Sequence, residues 1–229
     1  YNIPESKIPL EPVKLDFKLL KPESLSQINR VIIIVIDTLR QDHLGCYGYD
    51  RPVSPNINRL AKESVVFDNA FSMAPLTFRS MPCLLSGRYA TRWEVKNLFS
   101  TQNILRTLKK EGWQVDAFPK TAYTQSFVLD DPKQLLSSIV TGAKFSGTSD
   151  HITKKAIGFL DKHRSDKSAL WIQYFNPHNY YVTPEKYLPK DKNKRFGNRP
   201  IDVYDHAIAF DDAYLGELME WLQKENLYE

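Results

Sequence analysis

The chain has 229 residues, a formal net charge of +4 at pH 7, and a charged fraction of 25%. These values are ordinary for one soluble α/β domain that is long enough to bury a good core. No apolar run approaches the ~20 residues that a membrane-spanning helix needs. The sequence also lacks the interleaved aromatic and basic residues of a nucleic-acid module, so we expect no nucleic-acid partner.

The first candidate elements lie on either side of residue 30. Residues 1–29 are polar and punctuated by proline, which predicts an extended lead-in or linker before a domain at 30–229. Val31 to Ile36 are six β-branched apolar residues, and such a run is typical of a central strand of a parallel sheet. We expect this strand to be the most buried one. Asp37 follows this strand directly, at the position where open α/β sheets place their ligands. The alternative is that Asp37 merely caps the next turn.

The remaining pattern alternates helices with strands, which predicts a parallel or mixed sheet covered on both faces. The predicted helices span 55–64 (with Ser54 as N-cap), 80–86 (ended by Gly87), 103–111, 149–163 and 203–223. The predicted further strands span 65–69, 114–118 and 169–175.

Three stretches carry recognisable motifs in a fixed order: DTLRQDHLGCYGY from Asp37, SPNINRLAKESVVFDNAFS from Ser54, and APLTFRSMPCLLSGRY from Ala74. Together they resemble the amino-terminal signature of the sulfatase family, within the alkaline phosphatase superfamily. The resemblance implies an α/β, alkaline phosphatase-like fold with a mostly parallel central sheet and helices on both faces, incomplete at its C-terminal end. The family's second metal-binding pair, Asp-His or Asp-Asn, does not follow. We therefore expect the N-terminal part of a longer protein, with a natural half-enzyme as the alternative.

The resemblance places Thr77 where sulfatases carry the Cys or Ser that becomes formylglycine. Threonine cannot be converted, and the Cys-x-Pro-x-Arg motif has Arg79 and Met81 in place of its proline and arginine. Relatives that transfer phosphoglycerol or phosphoethanolamine use a metal-bound threonine, and a divalent metal lowers the pKa of a bound hydroxyl. Thr77 is thus implied to be the nucleophile. Alternatively it is only the N-cap of the following helix, and the two roles are compatible.

Other site residues follow from the same resemblance. Asp37 would be a metal ligand together with Thr77, whereas Thr38 stands where many sulfatases have a second Asp. Arg79, two residues after Thr77, would replace the missing motif arginine as a charge clamp on an anionic substrate. The cation could be calcium, magnesium, manganese or zinc.

Two later positions complete the implied site. Lys120 occupies the place of a lysine that contacts the ester oxygens, or it is an ordinary surface lysine. His178, in Phe-Asn-Pro-His-Asn-Tyr, would touch the transferred group or protonate the leaving oxygen.

The resemblance implies a metal-dependent hydrolase or transferase that acts on sulfate or phosphate esters, with a threonine nucleophile in place of formylglycine. The alternative is a catalytically inactive binding module with the sulfatase fold. We expect an anionic ester substrate, an extracytoplasmic location (periplasmic, cell-surface or secreted), and a membrane anchor or C-terminal half outside this chain. Residues 1–229 alone are expected to be inactive, because half of the metal ligands are missing.

Overall fold

The computed structural model describes residues 28–89, 102–118, 148–179, 188–189, 196–197 and 199–228. Within them, three parallel strands form one sheet in the order β1-β3-β2. The strands are β1 (Arg30–Ile36), β2 (Gln114–Phe118) and β3 (Ser168–Tyr174). Ile36 of β1 lies opposite Tyr174 of β3. Because the strands are parallel, the residues that follow β1 and β3 leave the sheet at the same edge.

The most buried strand is β3, and the expectation for Val31 to Ile36 was wrong. All seven residues of β3 are buried, whereas every residue of β1 is partly exposed. The reason is the strand order, since β3 is paired on both sides and β1 has a single neighbour among the described residues. A run of β-branched residues predicts a strand, but it does not say which strands flank it.

Helices cover both faces of the sheet, as the alternating pattern predicted. They are α1 (Pro55–Lys62), α2 (Thr77–Ser86), α3 (Ile104–Lys110), α4 (Ser149–Lys162) and α5 (Pro200–Lys224). On one face, α4 and α5 pack on Leu170, Ile172 and Tyr174 of β3. On the other face, α2 and α3 pack through Leu85 and Leu105 around Trp171.

One local prediction was wrong, and another is confirmed only in position. Residues 65–69 form no strand, and Val65 is 78% exposed, so a short β-branched run without a pairing partner stays irregular. Ser54 lies at the N-cap position of α1, but its side chain makes no cap hydrogen bond. Its hydroxyl instead accepts from the backbone N–H of Gly45 and donates to the side chain of Asn58. Ser54 therefore ties α1 to the loop that follows β1.

Short 3₁₀ helices follow two of the strands at the carboxyl edge. Gln41–His43 and Gly45–Tyr47 come after β1, and Asn176–Asn179 comes after β3. The loop after β1 lies on the amino-terminal half of α5, where Leu44 and Ile208 share a small apolar cluster. No helix in the described part of the chain is long and apolar enough to cross a membrane.

Candidate active site

The Asp37 carboxylate is where a strand, a helix and a neighbouring strand meet. Asp37 is 8% exposed, and its backbone N–H donates to the Tyr174 carbonyl over 2.9 Å, which extends the pairing of β1 with β3 by one residue. Its Oδ2 atom accepts from the Thr77 hydroxyl over 3.0 Å and from the Gln173 side-chain amide over 2.8 Å. The expected pair of Asp37 and Thr77 is thus in direct contact.

Thr77 is the first residue of α2 and is not its N-cap. The N-cap is Leu76, whose extended backbone (φ −124°, ψ 131°) turns the chain into the helix and whose side chain cannot cap it. The Thr77 hydroxyl donates to Asp37, on a different element. The alternative that Thr77 serves only as a cap is therefore wrong. Its place at the start of a ten-residue helix favours a nearby anion through the helix dipole.

The turn after Asp37 is strained and is held by a tyrosine. Thr38 has a φ of 56°, a left-handed conformation that β-branched residues rarely adopt. Its own hydroxyl donates to the Asp37 carbonyl over 2.7 Å. The Tyr204 hydroxyl, from α5, donates to the Thr38 carbonyl over 2.7 Å and accepts from the Arg40 N–H over 3.0 Å. One hydroxyl thus bridges two backbone groups of the turn.

A buried ionic cluster anchors the rest of this loop to α5. Asp205 is fully buried and accepts at both oxygens: Oδ1 lies 2.7 Å from His43 Nδ1, and Oδ2 lies 2.7 Å from the Tyr49 hydroxyl and 2.6 Å from an Arg51 guanidinium nitrogen. Burial and the neighbouring Asp205 carboxylate raise the pKa of Tyr49 to about 12. Tyr49 therefore stays protonated and donates at any physiological pH. This cluster fixes the loop that carries Thr38 and Arg40.

His178 leaves the sheet at the same edge as Asp37, but on the segment after β3. Its ring stacks on that of Phe175, with the centroids 4.1 Å apart. The segment is anchored by Asn176, whose side-chain amide donates to the Ser149 hydroxyl over 2.6 Å and to the carboxylate of Asp211. Asn176 is 2% exposed, so α4 and α5 hold the base of the turn that carries His178.

Of the two basic candidates, Arg79 lies among the described residues. Arg79 lies on the first turn of α2, is exposed, and has its guanidinium over the ring of Phe78 at 5.5 Å. Lys120 lies outside the described residues.

Sequence reasoning missed two residues of this site, Gln173 and Tyr204. Gln173 did leave a signal, because it is a lone amide in the apolar part of a strand, one residue before its end. Tyr204 lies on the buried face of an amphipathic helix, where an aromatic residue normally indicates only core packing.

The side-chain oxygens of Asp37 and Thr77 fit part of a binding site for a divalent cation. A carboxylate and a hydroxyl within 3.0 Å of each other are the oxygen ligands that hard cations prefer. The described residues contain no group of three or more His, Cys, Asp or Glu side chains that could hold a metal. The pair would therefore supply two ligands of such a cation.

Comparison with known proteins agrees with this architecture. Human N-acetylgalactosamine-6-sulfatase is 30% identical over 207 residues, covering 85% of this chain and 36% of that protein. The soluble domain of lipooligosaccharide phosphoethanolamine transferase A from Neisseria meningitidis superimposes with a TM-score of 0.62 at 18% identity, covering 86% of this chain and 63% of that one. The C-terminal periplasmic domain of EcEptC from Escherichia coli, in complex with Zn, gives a TM-score of 0.60 at 14% identity, covering 86% and 60%.

The structural likenesses confirm the predicted α/β, alkaline phosphatase-like fold. The chain spans about a third of the length of the human sulfatase, with 36% of that protein covered. The model of the sulfatase family matches residues 29–229, which is nearly the whole of the predicted domain. The chain therefore belongs to the sulfatase family, in the alkaline phosphatase-like superfamily.

Proposed function

We propose that the protein hydrolyses or transfers a sulfate or phosphate ester, with Thr77 as the nucleophile in place of formylglycine. The observation that carries the proposal is the 3.0 Å hydrogen bond from the Thr77 hydroxyl to Asp37 Oδ2. It directs a helix-terminal hydroxyl at a carboxylate on the carboxyl edge of the sheet, where α/β enzymes bind their substrates. Family membership supplies the class of reaction.

In the proposed reaction the Thr77 oxygen attacks the phosphorus or sulfur atom. A new bond to Thr77 forms as the bond to the leaving oxygen breaks, and water or an acceptor hydroxyl then displaces Thr77. Asp37 Oδ2 already accepts the hydroxyl hydrogen, so it is placed to hold that proton as it leaves Thr77. His178 donates a proton to the leaving oxygen; in the second step it takes the proton of the incoming water or hydroxyl, and Asp37 returns its proton to Thr77.

The charges of the ester would be met by cations. Arg79, on the first turn of α2, would clamp the anionic group, and Lys120 would contact the ester oxygens. A divalent cation held by Asp37 and Thr77, whether calcium, magnesium, manganese or zinc, would lower the pKa of the hydroxyl. Such a cation needs more than two ligands, so we propose that residues outside the described part complete its shell.

We further propose an extracytoplasmic location, supported by the periplasmic domain among the structural neighbours. A second candidate function is an inactive binding module with the same fold. The observation that favours it is Thr38, whose hydroxyl donates to the Asp37 carbonyl where many family members have a second acidic ligand.

The test is a pair of substitutions in the full-length protein, assayed on bis(4-nitrophenyl) phosphate and 4-nitrophenyl sulfate with added divalent cations. Thr77→Ala should lower the rate by about a thousandfold or more, because the attacking oxygen is gone. Thr77→Ser should retain part of the activity, since a primary hydroxyl can still attack. Thr107→Ala, an exposed threonine on α3, is the matched control and should leave the rate unchanged.

Melting temperatures of the same variants separate catalysis from folding. A wild-type rate per folded molecule in Thr77→Ala would eliminate Thr77 as the nucleophile. A wild-type protein that binds the anionic esters but never turns them over would favour the binding module.

A further inference from the structure

Gln173 is a buried amide in β3, the middle strand of the sheet. It is 1% exposed and lies in a strand whose seven residues are all buried. A buried amide is costly unless its polar atoms are hydrogen-bonded. Its Nε2 atom donates to Asp37 Oδ2 over 2.8 Å, whereas its Oε1 atom is buried without a partner among the described residues.

The strand register explains how Gln173 reaches Asp37. Gln173 lies opposite Val35, and Asp37 follows two residues later, just past the end of β1, where it still pairs with β3. Side chains two residues apart in a strand point to the same face, so Asp37 continues the row that Val35 occupies. On that face α2 packs over Trp171 and Val35, and α2 begins with Thr77. The amide and the hydroxyl therefore reach Asp37 on the side of the sheet that α2 covers.

Two side chains donate hydrogen bonds to Asp37, and both use the same carboxylate oxygen. Thr77 and Gln173 each donate to Oδ2, and no donor in the described residues contacts Oδ1. Two hydrogen bonds to one oxygen fix the rotation of the carboxylate, because the Oδ2 atom cannot move without breaking them. The orientation of Oδ1 is then fixed as well.

A purely structural role does not account for this amide. An apolar side chain of similar length would fill the same space without leaving a buried carbonyl oxygen unpaired, although Asp37 Oδ2 would then lose one of its two donors. What an apolar residue would lose is the N–H directed at Asp37. The property that distinguishes Gln173 from an apolar residue is thus its N–H donor and not the space that its side chain fills.

We propose that Gln173 is a positioning residue, which orients the Asp37 carboxylate so that Oδ1 is presented to the divalent cation of the ester-cleaving site. The proposal rests on the function proposed above. Partners that orient a metal ligand commonly contribute 10-fold to 100-fold to metal affinity. Gln173 should contribute to the same degree without contacting the cation itself.

The experiment measures the affinity of the full-length protein for Mn²⁺ and Zn²⁺, each alone, by isothermal titration calorimetry. Gln173→Met keeps the length of the side chain and removes the donor, and it should weaken binding about 10-fold to 100-fold. The melting temperature should fall only slightly, because the unpaired carbonyl oxygen is removed together with the donor and Asp37 Oδ2 keeps its bond from Thr77. Gln173→Glu replaces the donor by a charged acceptor and should also weaken binding. The matched control is Thr153→Val on α4, which removes a buried hydroxyl that pairs with the Tyr174 hydroxyl on the opposite face, and it should leave the affinity unchanged.

Asp37→Asn separates failure of this inference from failure of the proposed function. If Asp37→Asn abolishes binding but Gln173→Met binds as tightly as the wild type, Gln173 has no positioning role and the proposed site stands. If Gln173→Met loses affinity only in step with a large drop in melting temperature, its role is structural and the inference is wrong. Tighter binding by Gln173→Glu would make residue 173 a ligand and would also overturn the inference. Binding that ignores Asp37→Asn would remove the proposed metal site and the inference together.

Discussion

Replacing Tyr204 by phenylalanine should loosen the strained turn that follows Asp37. The substitution removes one hydroxyl, which donates to the Thr38 carbonyl and accepts from the Arg40 N–H. The ring remains, and it keeps its edge-to-face contact with His43 at a centroid distance of 5.0 Å. Burial raises the pKa of Tyr204, so the hydroxyl is protonated and makes both bonds throughout the physiological range.

The expected cost follows from these two hydrogen bonds. Each contributes about 0.5–1.5 kcal/mol net to stability. Thr38 and Arg40 are exposed, so water can replace part of what is lost. The left-handed backbone of Thr38 also costs about 1–2 kcal/mol, and relaxation of the freed turn would recover some of it. We therefore expect Tyr204→Phe to lower the free energy of unfolding by about 1–2 kcal/mol.

Urea denaturation of the full-length protein measures this difference in free energy. The melting temperature should fall by about 2–4 °C for each kcal/mol lost in a domain of this size. Tyr47→Phe is the matched control, because the Tyr47 hydroxyl makes a single bond near the surface, to the Phe67 carbonyl over 3.0 Å. It should cost about 0.5 kcal/mol or less. If Tyr204→Phe is no more destabilising than Tyr47→Phe, the hydroxyl bridge does not hold the turn and the reasoning is refuted.

Two further predictions concern the ionic residues of α5. Asp205→Asn should cost about 1.5–3 kcal/mol in urea denaturation, because His43 and Tyr49 lose a charged acceptor at a buried site while Arg51 keeps its ion pair with Asp202. A loss below about 0.5 kcal/mol would show that the charge is not needed. Hydrogen bonds from Arg199 and then Arg51 hold the pKa of Asp202 well below its usual range. A lowered carboxyl pKa stabilises the fold fully above the ordinary value near 4 and progressively less below it. Asp202→Asn should therefore lower the melting temperature most at pH 7 and progressively less below pH 4, and an equal loss at every pH would contradict this.

Much of the fold was predictable from local pattern. The apolar runs at 31–36 and 169–175 predicted β1 and β3 to within a residue at each end, because strands buried by helices on both faces need continuous apolar sequence. Gly87 marked the end of α2 correctly, since its φ of 66° is one that glycine adopts without strain. The contact of Asp37 with Thr77 was also expected, but from the family resemblance and not from the spacing of the two residues.

What the sequence could not supply is the pairing between distant segments. Gln173 and Asp37 are 136 residues apart, and Tyr204 and Thr38 are 166 apart. Neither contact follows from a periodic pattern in the sequence. The first depends on the order of strands in the sheet, and the second depends on the docking of α5. The same limitation led to the wrong choice of the most buried strand.

The arrangement around Asp37 explains how a carboxylate on a partly exposed strand can have a fixed direction. Its backbone is bound to β3 through the Tyr174 carbonyl, and its Oδ2 atom accepts from Gln173 and Thr77. Tyr204 then bridges the turn immediately after it. These contacts come from β3, α2 and α5, so no one of these elements alone determines the position of Asp37. Because reacting groups must be held within about 0.5 Å of their productive positions, the site depends on the docking of all three, and α2 has the most direct influence since it carries Thr77 itself.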